Sequence, residues 1–345
     1  MRNRVFIFLS GIAFFVLIFL FSEEFSSGFS AGLSNCAEVV IPSLFPFLAA
    51  SSLAGSGRLP HKIQKLSVPL TKRLFGLDGS CLPAIILSQL GGYLSGVSAA
   101  KSLYESGTIS RSQARRLILF CISPGVGFSV NAVGNALLGS RETGKILLLS
   151  VCVSSVLTGC FTRFLHDSEE KRIKSKTVSI SFSSALVGSV QSSASAMLSC
   201  CGFVCLFSGI SSVMSRIIGN NHASLAAACI LEVTSGCASA TGKVSLPAIA
   251  AVCAFGGLCV HLQIFSLAKD IGIRIPSFYL FRLLHSALAF VVCRLILCIH
   301  PIEKQVMISV SENIQLWSFS APAAISLMFL CVLLILDLDN SKKLC

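Results

Sequence analysis

One carboxylate stands inside an otherwise apolar, glycine-rich stretch of this 345-residue chain: Glu232, followed by Thr234, Ser235 and Gly236. An ionisable group at membrane depth is costly unless paired or hydrated, and such groups mark solute and ion paths. Two chemistries fit. Glu232 binds a solute or a coupling cation, or carries a proton; or it accepts main-chain N–H bonds and holds a helix break together. His261 and Gln263 follow the pair Gly256-Gly257. With Asn131 and Asn135 they would line one cavity and hydrogen-bond a polar solute; bonding between helices is the plainer alternative. Arg282 and His285 share a helix face by their i,i+3 spacing. Arg282 would meet Glu232 or an anionic solute, or else snorkel to the interface, the reading given to Arg294. Gly91, Gly92, Tyr93 and Gly96 form a glycine-rich break. Half-helix N-termini there would turn free N–H groups toward an anion, and Tyr93 would stack on an aromatic solute. Close packing through small residues is the alternative.

The elements that must position these residues are membrane helices. With 54% apolar and 12% charged residues the chain is not a soluble domain. Its mean hydropathy is +0.82. Apolar segments long enough to span a bilayer fall at about 5–21, 36–57, 80–100, 117–139, 144–165, 195–215, 223–241, 244–267, 278–299 and 318–336. The stretch from Val5 to Phe21 is longer than a signal-peptide core of roughly 7–15 residues, so it reads as an uncleaved first helix. Segments 80–100 and 223–242 carry glycines and polar residues in mid-run. Such interruptions occur only where protein or water covers the backbone.

If both interrupted segments re-enter on the face they left, the basic residues sort by side. Arg2, Arg4, the clusters in 58–73 and 101–116, those in 163–176, Lys269, Arg274, Lys342 and Lys343 fall inside. Arg141, Lys145, Arg216, Lys243 and Lys304 fall outside, beside the acidic first outer loop with Glu23 and Glu24. The formal net charge of +12 therefore reads as topology, not as a nucleic-acid footprint. The segment 59–76 alternates basic and apolar residues, as an interfacial helix would. Residues 108–118 read as a short helix with a Ser or Thr N-cap and exposed arginines.

The halves answer each other faintly. GGYLSG (91–96) parallels LEVTSG (231–236), and CISPGVGFSVN (121–131) parallels CAFGGLCVHLQ (253–263). Cys121 then pairs with Cys253, Gly125 with Gly257 and Asn131 with Gln263. The expected fold is an all-α polytopic membrane protein of about eight transmembrane helices plus two re-entrant segments in two inverted repeats, the plan of secondary transporters. Its parts would be residues 1–35 (first helix and outer loop), 36–166 (first repeat), 167–180 (cytoplasmic linker), 181–299 (second repeat, inverted) and 300–345 (last helix).

Sixteen cysteines are scattered through apolar runs without metal-ligand spacing, so they read as small apolar fillers, with no metal and no disulfide framework. No Walker loop, His-Glu-x-x-His or Gly-x-Ser-x-Gly occurs. No enzymatic activity and no cofactor are expected. The partners expected are a small-molecule solute and the bilayer, with proton or cation coupling and no nucleic acid.

IPSLFPFLAASSL (41–53), GGYLSGVSAAKSLYESGTIS (91–110), CISPGVGFSVNAVG (121–134), LEVTSG (231–236) and the run from FGGLCVHLQ to FRLLHSALAF (255–290) resemble the YlbJ-type (stage V sporulation protein V) sporulation integral membrane proteins. These belong to the nucleoside-recognition, or Gate-domain, membrane family, related to concentrative nucleoside transporters. The resemblance implies inverted repeats with re-entrant hairpins and a pocket near Gly92-Tyr93, Ser123-Pro124, Glu232 and His261-x-Gln263. It also implies a small aromatic dianion, dipicolinic acid, as solute, moved across the outer forespore membrane of a sporulating cell. A nucleoside-type solute, or a membrane scaffold that transports nothing, are the alternatives. Gly92-Tyr93-Leu94 departs from the family's Gly-Tyr-Pro, and Ser123-Pro124-Gly125 from its Asn-rich stretch.

Overall fold

The structure is a computed structural model and describes residues 2–56, 61–165, 181–219 and 222–301. The linker 167–180 and the last apolar segment, 318–336, lie outside the described residues. So do the basic residues at 58 and 171–176 and in the tail. All regular structure among the described residues is helical. Five helices are long and apolar enough to cross a membrane, and a sixth candidate is a pair bent by 90°. The protein is an all-α, multi-pass membrane protein.

The first helix, α1 (Arg2–Leu20), leaves Phe6, Phe15 and Phe19 exposed, as a helix facing lipid would. Residues 22–35, expected as outer loop, are instead helix α2 (Ser22–Asn35). One π-type turn, Cys36–Val40, joins α2 to α3 (Ile41–Ser56), and the whole runs as one span. Serines and glycines read as loop by composition. Here they let α9 (Phe182–Ile218) approach closely. A Cβ on Gly28 would meet Ser208 and Ser212, and one on Gly32 would meet Cys205 and Ser208. Further along, the Cys36 thiol lies 3.9 Å from the Cys201 carbonyl. Rising numbers on one side against falling numbers on the other make the two helices antiparallel. Small residues at such a seam are how membrane helices gain packing without a hydrophobic driving force.

Helix α4 (His61–Phe75) turns 90° into the next segment, as an interfacial helix would before the chain enters the membrane. Two helical hairpins follow the two long spans. The first is α5 (Leu82–Gly91) and α6 (Tyr93–Glu105); the second is α10 (His222–Leu231) and α11 (Val233–Ala240). A Cβ on Gly96 would strike Ser88, four residues the other side of Gly92. A Cβ on Gly236 would come within 2.6 Å of the Cys229 Cα. Such contacts exist only if the chain reverses between the arms. Arms of 8 to 13 residues are about 12–20 Å long, short of a roughly 30 Å hydrocarbon core.

After each hairpin comes a broken helix and then an unbroken one. The segment 117–139, expected as a plain span, is interrupted. Helix α7 (Arg111–Phe120) stops, residues 121–124 are non-helical, and a π-wound helix, Gly127–Leu137, continues. In the second half α12 (Leu246–Phe255) and α13 (Gly257–Leu267) are parted at Gly256, which takes φ +87°. The unbroken helices are α8 (Arg141–Thr162) and α14 (Ile275–Ile299), which pack together. The second arm of each hairpin packs on the broken helix of the other half: α6 on α13, and α11 on the π-wound helix.

Basic loops gather as the charge pattern requires. Lys101 sits 3.9 Å from Asp270, the Arg115 Nε donates to the Ile271 carbonyl at 3.0 Å, and Arg163 donates to the Arg73 carbonyl at 2.6 Å. Arg216, assigned to the opposite face, pairs with Glu24 at 3.2 Å. Ser110 caps α7 in a capping box with Gln113. Of the arginines expected to be exposed there, Arg116 is buried and donates to the Phe75 and Gly76 carbonyls at the end of α4.

Candidate functional site

Each hairpin tip rests on the broken helix of its own half. Gly125, at φ +70°, faces the Gly92 main chain so closely that a Cβ would overlap it. Gly257, at φ +75°, faces Leu231, Glu232 and Val233 in the same way, with 3.2 Å from a Cβ to the Val233 nitrogen. Only glycine tolerates both the left-handed backbone and that approach. The pairs matched in the sequence, Gly125 with Gly257 and GGYLSG with LEVTSG, thus hold corresponding places in the fold.

The two tips are closed differently. Glu232 is 1% exposed and is the N-cap of α11. The Thr234 N–H donates to its Oε1 at 2.8 Å and the Ser235 N–H to its Oε2 at 2.6 Å. Both oxygens satisfy the positive end of a half-helix. Of the two chemistries open to this residue, the structure shows the capping role. The corresponding position in the first hairpin is Gly92, which brings no side chain, and no side chain caps α6.

Arg282 is 0% exposed, the largest fully buried side chain among the described residues, and it neither snorkels nor pairs with Glu232. Its guanidinium lies where both broken helices end. Nη2 donates to the Leu119 carbonyl at 2.5 Å, and Nη1 donates to Ile122 at 2.9 Å and to Ala254 at 3.5 Å. Under the match of Cys121 to Cys253, Ile122 and Ala254 are equivalent carbonyls. One cation thus bridges the negative ends of two half-helix dipoles. The His285 Nδ1 faces Nη1 at 3.3 Å, and its Nε2 faces the Val151 carbonyl at 3.2 Å. A carbonyl only accepts, so the proton is on Nε2 and Nδ1 takes the arginine's hydrogen bond. The Arg282 Nη donors are engaged by main chain and His285, while its buried Nε has no partner among the described residues.

Tyr93 crosses between halves. Its hydroxyl donates to the Cys253 carbonyl at 2.7 Å, and its ring meets Phe128 edge-on at 6.0 Å. That ring is held by protein and not presented as a stacking platform. His261, also 0% exposed, donates from Nε2 to the Phe255 carbonyl at 2.8 Å inside a box of Phe255, Phe278 and Tyr279. Its Nδ1 has no partner among the described residues. Ser123, in the first break, is fully buried and also unpartnered there.

The structure therefore brings Gly92, Tyr93, Gly96, Ser123, Glu232, Thr234, Gly236, His261 and Arg282 to tips and breaks, buried. Ser235 is there too, half-buried, with its hydroxyl 3.1 Å from that of Ser208. Three candidates do not join them. Asn131 and Asn135 are exposed on the π-wound helix, and Gln263 is buried with its amide directed 3.3 Å to the Cys259 thiol. With Asn131 and Asn135 exposed, the four residues expected to line one cavity (these two, His261 and Gln263) are not brought together among the described residues. Sequence reading passed over Ser155, which donates to the Phe120 carbonyl at 2.8 Å, and Ser286, which donates to Ala251 at 2.8 Å. Ser155 satisfies a carbonyl freed by the first break, and Ser286 ties α14 to the last turns of α12. A lone serine on an apolar helix, level with a break, was the available signal.

A cavity of about 420 Å³ opens beside the first tip, between α3, α6, α9 and the end of α13. Fourteen cysteines among the described residues are free, and no group of three or more His, Cys, Asp or Glu among them is placed to hold a metal.

No family model matches the chain, and no solved structure does. Among curated proteins the chain is similar to the sporulation integral membrane protein YlbJ of Bacillus subtilis (strain 168). They are 26% identical over 145 residues, which is 42% of this chain and 36% of that protein. The chain thus matches little more than a third of the relative's length, an integral membrane protein like itself.

Proposed function

We propose that this protein is a membrane transporter for a small anionic or heteroaromatic solute, acting during endospore formation. Dipicolinic acid carried across the outer forespore membrane is the solute and place the resemblance favours. The single observation that carries the reading is the meeting of two helical hairpin tips with two broken helices. One tip is closed by its own carboxylate, Glu232, and the other is closed by no side chain. Half-helix ends at the midplane supply N–H dipoles for an anion without any cationic side chain. The two matching halves, entering the membrane with opposite orientation, would expose that tip alternately to each side. The likeness to a sporulation membrane protein supports the setting.

The decisive test is flux. Purified protein in vesicles loaded with pyridine-2,6-dicarboxylate should release it faster than empty vesicles and vesicles bearing an unrelated membrane protein. Equal release in all three would remove the transport reading and leave a scaffold role. In cells, deletion should leave dipicolinate in the mother cell, and substitutions at the tips should reproduce this more strongly than changes at exposed positions such as Arg111→Gln.

A further inference from the structure

The cavity beside the first hairpin is built unlike the rest of the interior. Half of its lining residues are serines, among them Ser51 on α3, Ser95, Ser98 and Ser102 on α6 and Ser193 on α9. No aromatic side chain lines it. Its volume has room for on the order of ten waters. Its floor is Ser95, in the first turn of α6, the half-helix that no side chain caps. That hydroxyl is 3% exposed and has no partner among the described residues. Its mouth is Glu105, ten residues along the same helix, about 15 Å away. Ser52 near the end of α3, Ser184 at the start of α9 and Leu267 at the end of α13 complete the rim. All adjoin loops that carry the basic residues assigned to the inner face.

The two charged residues that line the cavity are of opposite sign. Lys101 and Glu105 both line it and lie 3.8 Å apart, and Lys101 is shared with Asp270 outside the lining at 3.9 Å. A serine on a helix can turn its hydroxyl to its own main chain or to a guest, donating or accepting. Such a wall wets readily and binds no one solute tightly.

We propose that this cavity is a water-filled vestibule through which small hydrophilic solutes of either charge reach the uncapped tip of the first hairpin from the face bearing Lys101, and that selection occurs at the tip. The assignment rests on the transport reading, and the experiment measures wetting without any transport. Ser102→Cys and Ser98→Cys, one turn apart along α6, are compared with Leu283→Cys, which is exposed on the outside of α14. Labelling by membrane-impermeant methanethiosulfonates is measured above the parent protein's own background, in vesicles of each orientation. The expected result is fast labelling at 102 and 98 from the basic face, at least about tenfold above Leu283→Cys, because thiolate chemistry needs water. After normalising to free cysteine, ethylsulfonate and ethyltrimethylammonium reagents should react at similar rates at 98. An unbalanced unit charge on the lining would separate them by on the order of tenfold or more. Labelling at 98 no faster than at 283, labelling only from the opposite face, or a strong preference for one reagent charge would overturn the proposal. Because no flux is measured, a wet vestibule in a protein that moves no dicarboxylate would sink the transport reading alone. A dry cavity in a protein that does move it would sink the vestibule alone.

Discussion

Replacing Arg282 by Met separates a structural pin from a solute-binding residue. The substitution keeps a long unbranched side chain and removes every donor. Three main-chain carbonyls, at Leu119, Ile122 and Ala254, lose their partner, and so does the His285 Nδ1. A buried acceptor left bare costs about 1–3 kcal/mol. Part of that returns, since no guanidinium need then be kept from water and a thioether packs adaptably. The net loss should be about 3–5 kcal/mol, as for breaking other buried charged networks. Thermal and denaturant unfolding of the detergent-solubilised protein would read it. Arg282→Lys should fall between, because one ammonium cannot fork to carbonyls on two helices. If Arg282→Met unfolds within about 0.5 kcal/mol of the parent, the range of surface changes, yet no longer moves dicarboxylate, the reasoning fails. Arg282 would then be a binding group whose carbonyl contacts carry little energy.

Glu232→Gln leaves one oxygen to accept and turns an amide NH2 toward an N–H, so α11 should lose about 1 kcal/mol of capping. If Glu232→Ser recovers stability and flux together, the residue caps; if stability alone returns, the carboxylate also serves transport. Tyr93→Phe strips a donor from the buried Cys253 carbonyl and should cost about 1–3 kcal/mol in unfolding, with no change in overall helix content. Gly96→Ala would drive a methyl into the Cys121 carbonyl and Ser88, and Gly236→Ala into the Cys229 Cα. Each should cost about 1–3 kcal/mol by overpacking. Gly188→Ala and Gly202→Ala, inside α9 with nothing near the new methyl, should instead gain up to about 1 kcal/mol of helix propensity.

Much of this arrangement is legible in the chain. Glycines and polar residues in mid-run gave both hairpin tips, because lipid forbids uncovered backbone and the interruptions therefore stand out. The break at 121–124 did not stand out, since LILFCISPGVGF is apolar nearly throughout and its carbonyls are satisfied from elsewhere. Arg282 and its Ile122 partner are 160 residues apart. Sequence spacing says that the cation is buried or at an interface, never which carbonyls receive it. Residues 22–35 were misread because serine and glycine are loop formers in water but seam residues against a membrane neighbour. Asn131 went astray for a geometric reason. It was placed by its match to Gln263, which lies buried on an α-helix, whereas Asn131 lies on a helix wound by i→i+5 bonds, where the same offset from the break turns to a different face.

The inequality of the two tips bears on how such a protein would work. With Glu232 in place the second hairpin needs nothing further to be satisfied, so it can stay closed whether or not solute is present. The first hairpin has glycine at the matching position, and at φ +96° that position strongly disfavours any residue that could bring a cap. The Ser95 N–H is given to the Gly92 carbonyl at 3.0 Å, which leaves the N–H groups of Tyr93 and Leu94 for water or a guest, and the serine-lined cavity ends beside them. On the transport reading a solute carboxylate at the first tip does for α6 what Glu232 does for α11. Its binding energy is then spent at the hairpin tip that, among the described residues, lacks a capping side chain of its own. A solute stripped of its carboxylate would enter the same cavity, meet the same serines, and leave that tip unsatisfied. Uptake measured for pyridine, pyridine-2-carboxylate and pyridine-2,6-dicarboxylate should therefore rise with each carboxylate. Uptake indifferent to that series would place recognition somewhere other than the bare end of α6.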